Sequence, residues 1–180
     1  LPIWTGNMSN TLVSAGYEGK NGTSLTYDKD GNISGIKDAS GNNISYNYNV
    51  WGELIQAVDA SGNITAYAYD EAGNCTLVTY ADGTAYSVTY DGMGRPLTIS
   101  TDVTDILTGE ERTISIGYEY DSMGNVVAYT DEMGDKTYYE YDLMCQLIKV
   151  TDSEGKVQAE YTYDSLGRML QEKTSDGILT

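Results

Sequence analysis

The chain has no histidine and no phenylalanine, and only two cysteines and two prolines in 180 residues. Without His, the commonest general base and the commonest metal ligand are missing. Cys75 and Cys145 lie 70 residues apart. They are too few for a disulfide framework and read as free thiols. Basic residues are scarce, 10 against 27 acidic ones, which leaves a formal charge of −17. Phosphate neutralisation needs clustered Lys and Arg, so this balance argues against nucleic acid and against an anionic membrane surface as partners. No apolar run approaches the ~20 residues that span a bilayer, and no membrane insertion is expected. The acidic residues are scattered singly, as on a solvated surface.

Tyrosine and glycine are plentiful, at 17 and 20 residues. Tyr in place of Phe suits a surface that is half wet, because the ring packs while the hydroxyl meets water. The tyrosines are ordered by a repeat. Aligning the phrase "YDEAGN" at 69–74 with its copies gives Tyr27, Tyr48, Tyr69, Tyr90, Tyr120, Tyr141 and Tyr163, with steps of 21, 21, 21, 30, 21 and 22. A period held over most of a chain is the signature of a repeat architecture. Asp follows the tyrosine at Asp28, Asp70, Asp91, Asp121, Asp142 and Asp164, and Asn49 is the exception. Four residues after the tyrosine stand Gly31, Gly52, Gly73, Gly94, Gly124 and Gly167, with Cys145 breaking the column. A second glycine column, Gly41, Gly62, Gly83, Gly134, Gly155 and Gly177, lies fourteen after it, and the fourth copy has Gly109 instead.

Each repeat therefore carries two turns joined by short segments rich in Val, Ile, Thr and Tyr, which is strand composition. In Tyr-Asp-x-x-Gly, the Asp side chain accepts a backbone N–H two residues on and the Gly adopts the left-handed conformation. A four-residue loop from Asp to Gly pairs the tyrosine with the residue five later, and the residue two before it with the one seven later. One face then reads as tyrosine and aliphatic: Tyr46, Tyr67, Tyr118, Tyr139 and Tyr161, with Ile55, Leu97, Val127, Ile148 and Leu170. The other face is mostly polar, with Asn47, Thr89, Glu119 and Glu140. "DKDGN" at 28–32 opens like a calcium loop, but its twelfth position is Ala39, which offers no carboxylate. No catalytic residue, metal site or cofactor is expected.

The fold class that follows is all-β: tandem antiparallel hairpins of period about 21, forming a curved, spiralling strip or partial shell. Residues 1–26 read as a degenerate first repeat and 27–180 as seven repeats, with a long hairpin insertion at about 101–112. About sixteen strands at ~4.8 Å give a strip ~75 Å long, and open sheets of that size curl. Thr180 follows Gly177 before another Tyr-Asp pair, so the chain reads as a piece cut mid-repeat from a larger array.

"YDEAGN", "YDGMGR", "YDSMGN" and "YDSLGR", with the 20-odd-residue period, resemble the YD-repeat or rearrangement-hotspot (RHS) family over roughly residues 17–180. The resemblance implies a β-strip wound into a hollow shell, as in bacterial toxins that enclose a C-terminal toxic domain and in teneurin-type adhesion proteins. Many bacterial members add a self-cleaving core with an Asp-Pro motif, and Pro2 and Pro96 are the only prolines here. The leading reading is a structural segment of such a shell, in a large secreted or surface-exposed bacterial protein. Its expected partners are flanking repeats and a C-terminal cargo. The alternative is a glycan- or receptor-binding module in which sugars stack on Tyr46, Tyr67, Tyr118, Tyr139 and Tyr161. Self-association is expected as well, because a bare tyrosine/aliphatic face and open sheet edges both invite a partner.

Overall fold

The computed structural model describes residues 2–6, 12–17, 22–174 and 177–179. These residues form seventeen strands and no helix. The chain divides into two units, Leu1–Tyr86 and Ser87–Thr180. The first holds β1 (Pro2–Gly6), β2 (Leu12–Tyr17), β3 (Thr23–Tyr27), β4 (Ile33–Lys37), β5 (Asn43–Tyr48), β6 (Leu54–Val58), β7 (Ile64–Tyr69) and β8 (Cys75–Thr79). Next, β9 (Ala85–Tyr90) runs across the division. The second unit continues with β10 (Pro96–Thr104), β11 (Glu111–Tyr120), β12 (Val126–Thr130), β13 (Lys136–Tyr141), β14 (Leu147–Asp152), β15 (Val157–Tyr163), β16 (Met169–Thr174) and β17 (Gly177–Leu179). From β1 to β8, and from β10 to β17, each strand pairs antiparallel with the next. The expected degenerate repeat at 1–26 lies partly outside the described residues.

The turn chemistry sets the hairpins. In the first motif Gly31 N–H donates to the Asp28 carbonyl (3.2 Å), and Asp28 N–H donates to the Asn32 carbonyl (2.9 Å). This is a three-residue loop, a type I turn closed by a left-handed residue. Gly31 has φ 92° and Gly124 φ 94°. Cys145 takes the same conformation at φ 59° and the same bond, from its N–H to the Asp142 carbonyl at 3.0 Å. The missing glycine thus leaves the turn intact but strained, since a Cβ in the left-handed region costs ~1–2 kcal/mol. In the fourth repeat the extra residues lengthen β10 and β11 to nine and ten residues. Their tip is closed by Asp105 N–H to the Glu110 carbonyl at 2.8 Å.

The register differs from the sequence expectation. The tyrosine pairs with the residue six later: Tyr27 with Ile33, Tyr48 with Leu54, Tyr141 with Leu147. The residue two before it pairs with the one nine later, as in Tyr46 with Ala57 and Tyr67 with Val78. Two physical causes combine. The loop is one residue shorter than expected, so Asp is a paired position. A bulge then absorbs the residue seven after the tyrosine, where the ladder skips. A one-residue slip alone would exchange the faces, and the bulge restores them.

The two faces are unlike. On the polar face, cross-strand partners satisfy one another: Asn47 donates to Gln56 (2.7 Å), the Thr89 and Thr98 hydroxyls lie 2.6 Å apart, and Lys149 meets Glu140 at 2.9 Å. The tyrosine/aliphatic face is half-buried by its own neighbours, and the described residues of each unit form no second layer over it. Among the described residues Ala128 and Ala159 are the only buried apolar ones, at 2% and 7% exposure.

Two substitutions test the turn geometry. Cys145→Gly raises stability by roughly 1 kcal/mol by releasing the left-handed strain, and Gly124→Val lowers it by ~1–2 kcal/mol. The readout is the urea midpoint, with Glu140→Gln as a surface control. Midpoints that coincide for all three would contradict the assignment.

Candidate functional site

The tyrosine of each motif does more than pack. Between hairpins the ladder is short: β4 and β5 pair only from Gly35–Ser45 to Lys37–Asn43. Beyond its end the Ile33 carbonyl, next to the bulge, accepts the Tyr48 hydroxyl at 2.9 Å. The same bond recurs from Tyr69 to the Leu54 carbonyl (2.8 Å), Tyr120 to Pro96 (2.9 Å), Tyr141 to Val126 (3.0 Å) and Tyr163 to Leu147 (2.8 Å). Each of these five tyrosines thus grips the backbone of the repeat before its own. A bulge frees a carbonyl, and a freed carbonyl away from water needs a donor. Phe has none, which explains its absence at these positions better than a wet surface does. Burial pushes the Tyr48, Tyr69 and Tyr141 hydroxyl pKa values above their ordinary range.

The aspartate secures the turn itself. Asp28 Oδ1 accepts the N–H groups of Asp30 and Asn32, both at 2.9 Å, and Oδ2 accepts the Asn32 amide at 3.0 Å. Asp70 with Asn74 and Asp121 with Asn125 repeat the arrangement. The second turns use it too, in Asp38 with Asn42 and Asp59 with Asn63. Asn49 conserves it with the charges exchanged: its Oδ1 accepts the Trp51 and Glu53 N–H groups at 3.0 Å, and its Nδ2 donates to Glu53 Oε2 at 2.6 Å. In Asp91 and Asp164 the clamp is an arginine, with Arg95 Nε and Arg168 Nε both 2.7 Å from the carboxylate. The amide bonds of Asn32, Asn74 and Asn125 hold the Asp28, Asp70 and Asp121 carboxyl pKa values below the ordinary 3.8.

The residue five after the tyrosine, not singled out from the sequence, also joins repeats. Arg95 Nη1 donates to the Asp121 carbonyl (3.2 Å), and its guanidinium carbon lies 4.4 Å from the centre of the Tyr120 ring. Gln146 Nε2 donates to the Gly167 carbonyl at 3.2 Å. Spacing alone gave no signal for this role, because the residue type changes from Asn to Glu, Arg and Gln.

The five tyrosines expected as a stacking surface are all half-buried. Tyr46 faces Ala57, Tyr67 faces Val78, Tyr139 faces Val150 and Tyr161 faces Glu172. Tyr118 faces Tyr129, with ring centres 5.5 Å apart at 48°. Around that pair, Val126, Tyr139 and Tyr141 complete an open aromatic cleft of about 420 Å³. In the first unit a second cleft of about 480 Å³ is lined by Trp51, Glu53, Tyr67, Tyr69 and Glu71 among others. Among the described residues no group of three His, Cys, Asp or Glu is arranged to hold a metal. Among them, too, no helix is long and apolar enough to cross a membrane.

The tyrosine grip has a direct test. Tyr69→Phe and Tyr141→Phe each cost about 1 kcal/mol in a urea melt, because each leaves a carbonyl unsatisfied. Tyr138→Phe, on an exposed ring, leaves the midpoint unchanged. Equal effects in all three would refute the grip. The aspartates add a pH dependence. Their folded pKa values are lowered, so their contribution is complete above the ordinary 3.8 and is lost as pH falls through the lower folded values. The urea midpoint therefore holds between about pH 7 and pH 5 and declines below about pH 4. A midpoint flat to about pH 2 would contradict this.

Three comparisons with known proteins bear on this geometry. The family model described as the teneurin YD-shell matches residues 5–180. The tRNA3(Ser)-specific nuclease WapA of Bacillus spizizenii is 33% identical over 71 residues, covering 39% of this chain and 3% of that protein. The crystal structure of TcdB2-TccC3 without its hypervariable C-terminal region superposes with a TM-score of 0.63 at 16% identity, over 98% of this chain and 12% of that one. The Tc holotoxin pore of Photorhabdus luminescens gives 0.61 at 16% identity, over 96% and 11%. The chain therefore spans a small part of the proteins it matches, and the structural likeness concerns the fold. With a family model covering nearly all of it and a hairpin grip repeated along both units, the chain belongs to the teneurin YD-shell family.

Proposed function

We propose that this chain is a stretch of shell wall that helps to enclose a polypeptide cargo in a longer protein, and that it works without a catalytic residue. The observation that carries the reading is the one-sided sheet. The polar face satisfies itself through cross-strand pairs, whereas the tyrosine/aliphatic face has no covering layer among the described residues of either unit. Ile55 and Leu170 on that face are 38% and 56% exposed. Soluble proteins seldom leave a contiguous apolar patch beyond ~300–600 Å² uncovered. Flanking repeats and cargo supply the cover. The similarity to a Tc toxin structure and to a bacterial nuclease supports a bacterial toxin-like context and a secreted or surface location.

A second reading rests on the aromatic cleft of Tyr118, Tyr129, Tyr139 and Tyr141, whose rings suit stacking of a sugar. In a glycan array it requires a signal that Tyr139→Ala removes.

Limited proteolysis of the full-length protein separates the two. Under enclosure, the cargo resists cleavage and becomes sensitive when Gly124→Val loosens the wall. Cargo cut at the same rate in both proteins would sink the enclosure reading. For the chain alone, light scattering at low and high salt reports whether the open face recruits a second copy. The charge of −17 opposes association less as salt rises, so the expected result is a salt-favoured oligomer, and a monomer at both salts would contradict self-association.

A further inference from the structure

We infer that the cleft beside Trp51 is a binding site for a guanidinium group, presented as an arginine side chain by another polypeptide. The proposal stands apart from enclosure, since it depends only on one repeat junction of the first unit.

Two junctions of the same chain share one scaffold and differ in one charge. Between the fourth and fifth motifs, Arg95 completes a closed set of contacts. Its Nε and Nη2 each lie 2.7 Å from Asp91 Oδ2, its Nη1 bonds the Asp121 carbonyl, and its plane lies under Tyr120. Between the second and third motifs the scaffold is the same, but the cation is gone. Tyr69 occupies the place of Tyr120 and grips the preceding repeat in the same way. Glu53 occupies the place of Arg95. It leans over the next turn as Arg95 does: a Cβ on Gly73 would stand 3.1 Å from Glu53 Oε1, and one on Gly124 would stand 3.8 Å from Arg95 Nη1. A carboxylate therefore sits where the other junction holds a guanidinium, and the rings that flank it remain.

The space around it is open. The cleft holds about 480 Å³, and Ile55, Tyr67 and Glu71 line it with Trp51 and Glu53. Trp51 is 81% exposed, in the turn position where other motifs carry Met93, Met123, Met144 and Leu166, which are exposed too, and it is the one aromatic ring in that column. Glu53 Oε2 is taken by the Asn49 amide at 2.6 Å, which leaves Oε1 directed over the turn. The only basic side chains among the described residues of this unit are Lys29 and Lys37, and neither lines the cleft. Lys29 is paired with Asp30 at 2.8 Å. A planar cation that stacks on indole and phenol rings and donates to a carboxylate at its edge matches these walls. Arginine fits better than a neutral ring because two acidic side chains, Glu53 and Glu71, would otherwise face an aromatic pocket with no counter-charge.

The test titrates acetyl-arginine-methylamide into the chain carrying Trp4→Phe, which leaves Trp51 as its sole indole. Saturable change in Trp51 fluorescence is expected with a Kd of about 10–100 mM, the range for one cation–π contact plus one partly exposed ion pair. The citrulline analogue, equal in shape and uncharged, is expected to bind at least ~10-fold more weakly. Glu53→Gln weakens the capped ligand severalfold. Glu53→Arg supplies the guanidinium internally, so it abolishes binding while the melting temperature stays at or above that of the parent, which separates site filling from misfolding. Any one of three results would overturn the inference: citrulline binding as tightly as arginine, Glu53→Arg binding like the parent, or no saturable response.

Discussion

A tyrosine hydroxyl held by a backbone carbonyl of the preceding repeat is the bond on which the rest of this structure depends. Hairpins form locally from their turns, but local turns do not tell one hairpin where to sit against the next. The ladder between β4 and β5, like that between β6 and β7, has only three pairs. The Tyr48 and Tyr69 hydroxyls extend it at the bulged margin, where strand pairing has stopped. The constraint works in both directions. The bulge must present a carbonyl, and the tyrosine must stand one repeat later to take it, so the period of the sequence and the shape of the bulge are tied together.

The side chain five after the tyrosine adds variety to this fixed frame. Arg95 and Gln146 reach the backbone of the following turn, whereas Asn32, Asn74 and Asn125 stay within their own. One position thus tunes how firmly successive repeats are joined without altering the hairpins. Exposed pairs at such a margin contribute little singly, about 0–1 kcal/mol, so their value lies in repetition and in the chemistry they offer. Glu53 shows the second use, since the same position with reversed charge lines the cleft beside Trp51.

A strip with one self-sufficient face and one uncovered face suits a wall. It gains stability from neighbours along the strip, and it leaves a broad tyrosine and aliphatic surface for whatever lies against it. The absence of a fully buried large side chain among the described residues is the energetic expression of that design. Such a sheet is completed by its surroundings and not by a core of its own.

How much of this was legible beforehand follows from the range of each interaction. The repeat, the hairpins, the left-handed turn residues and the two faces are set by neighbours a few positions apart, so Asp28, Gly31 and their copies announce them in the sequence. Even the exceptions obey local rules, as Asn49 and Cys145 do. The register was misjudged because a bulge is a two-strand event, and the residue seven after the tyrosine carries no mark of being skipped. The tyrosine grip was missed for a related reason. Its donor and acceptor are 15 residues apart in Tyr48 and Ile33 and 24 apart in Tyr120 and Pro96, and any residue type can offer a carbonyl. The same holds for Arg95 on Tyr120 and for the cleft beside Trp51. Sequence by itself determined which hairpins form, because turn preferences are local. Only the tertiary structure decided how one hairpin holds the next, because a backbone acceptor has no letter in the sequence.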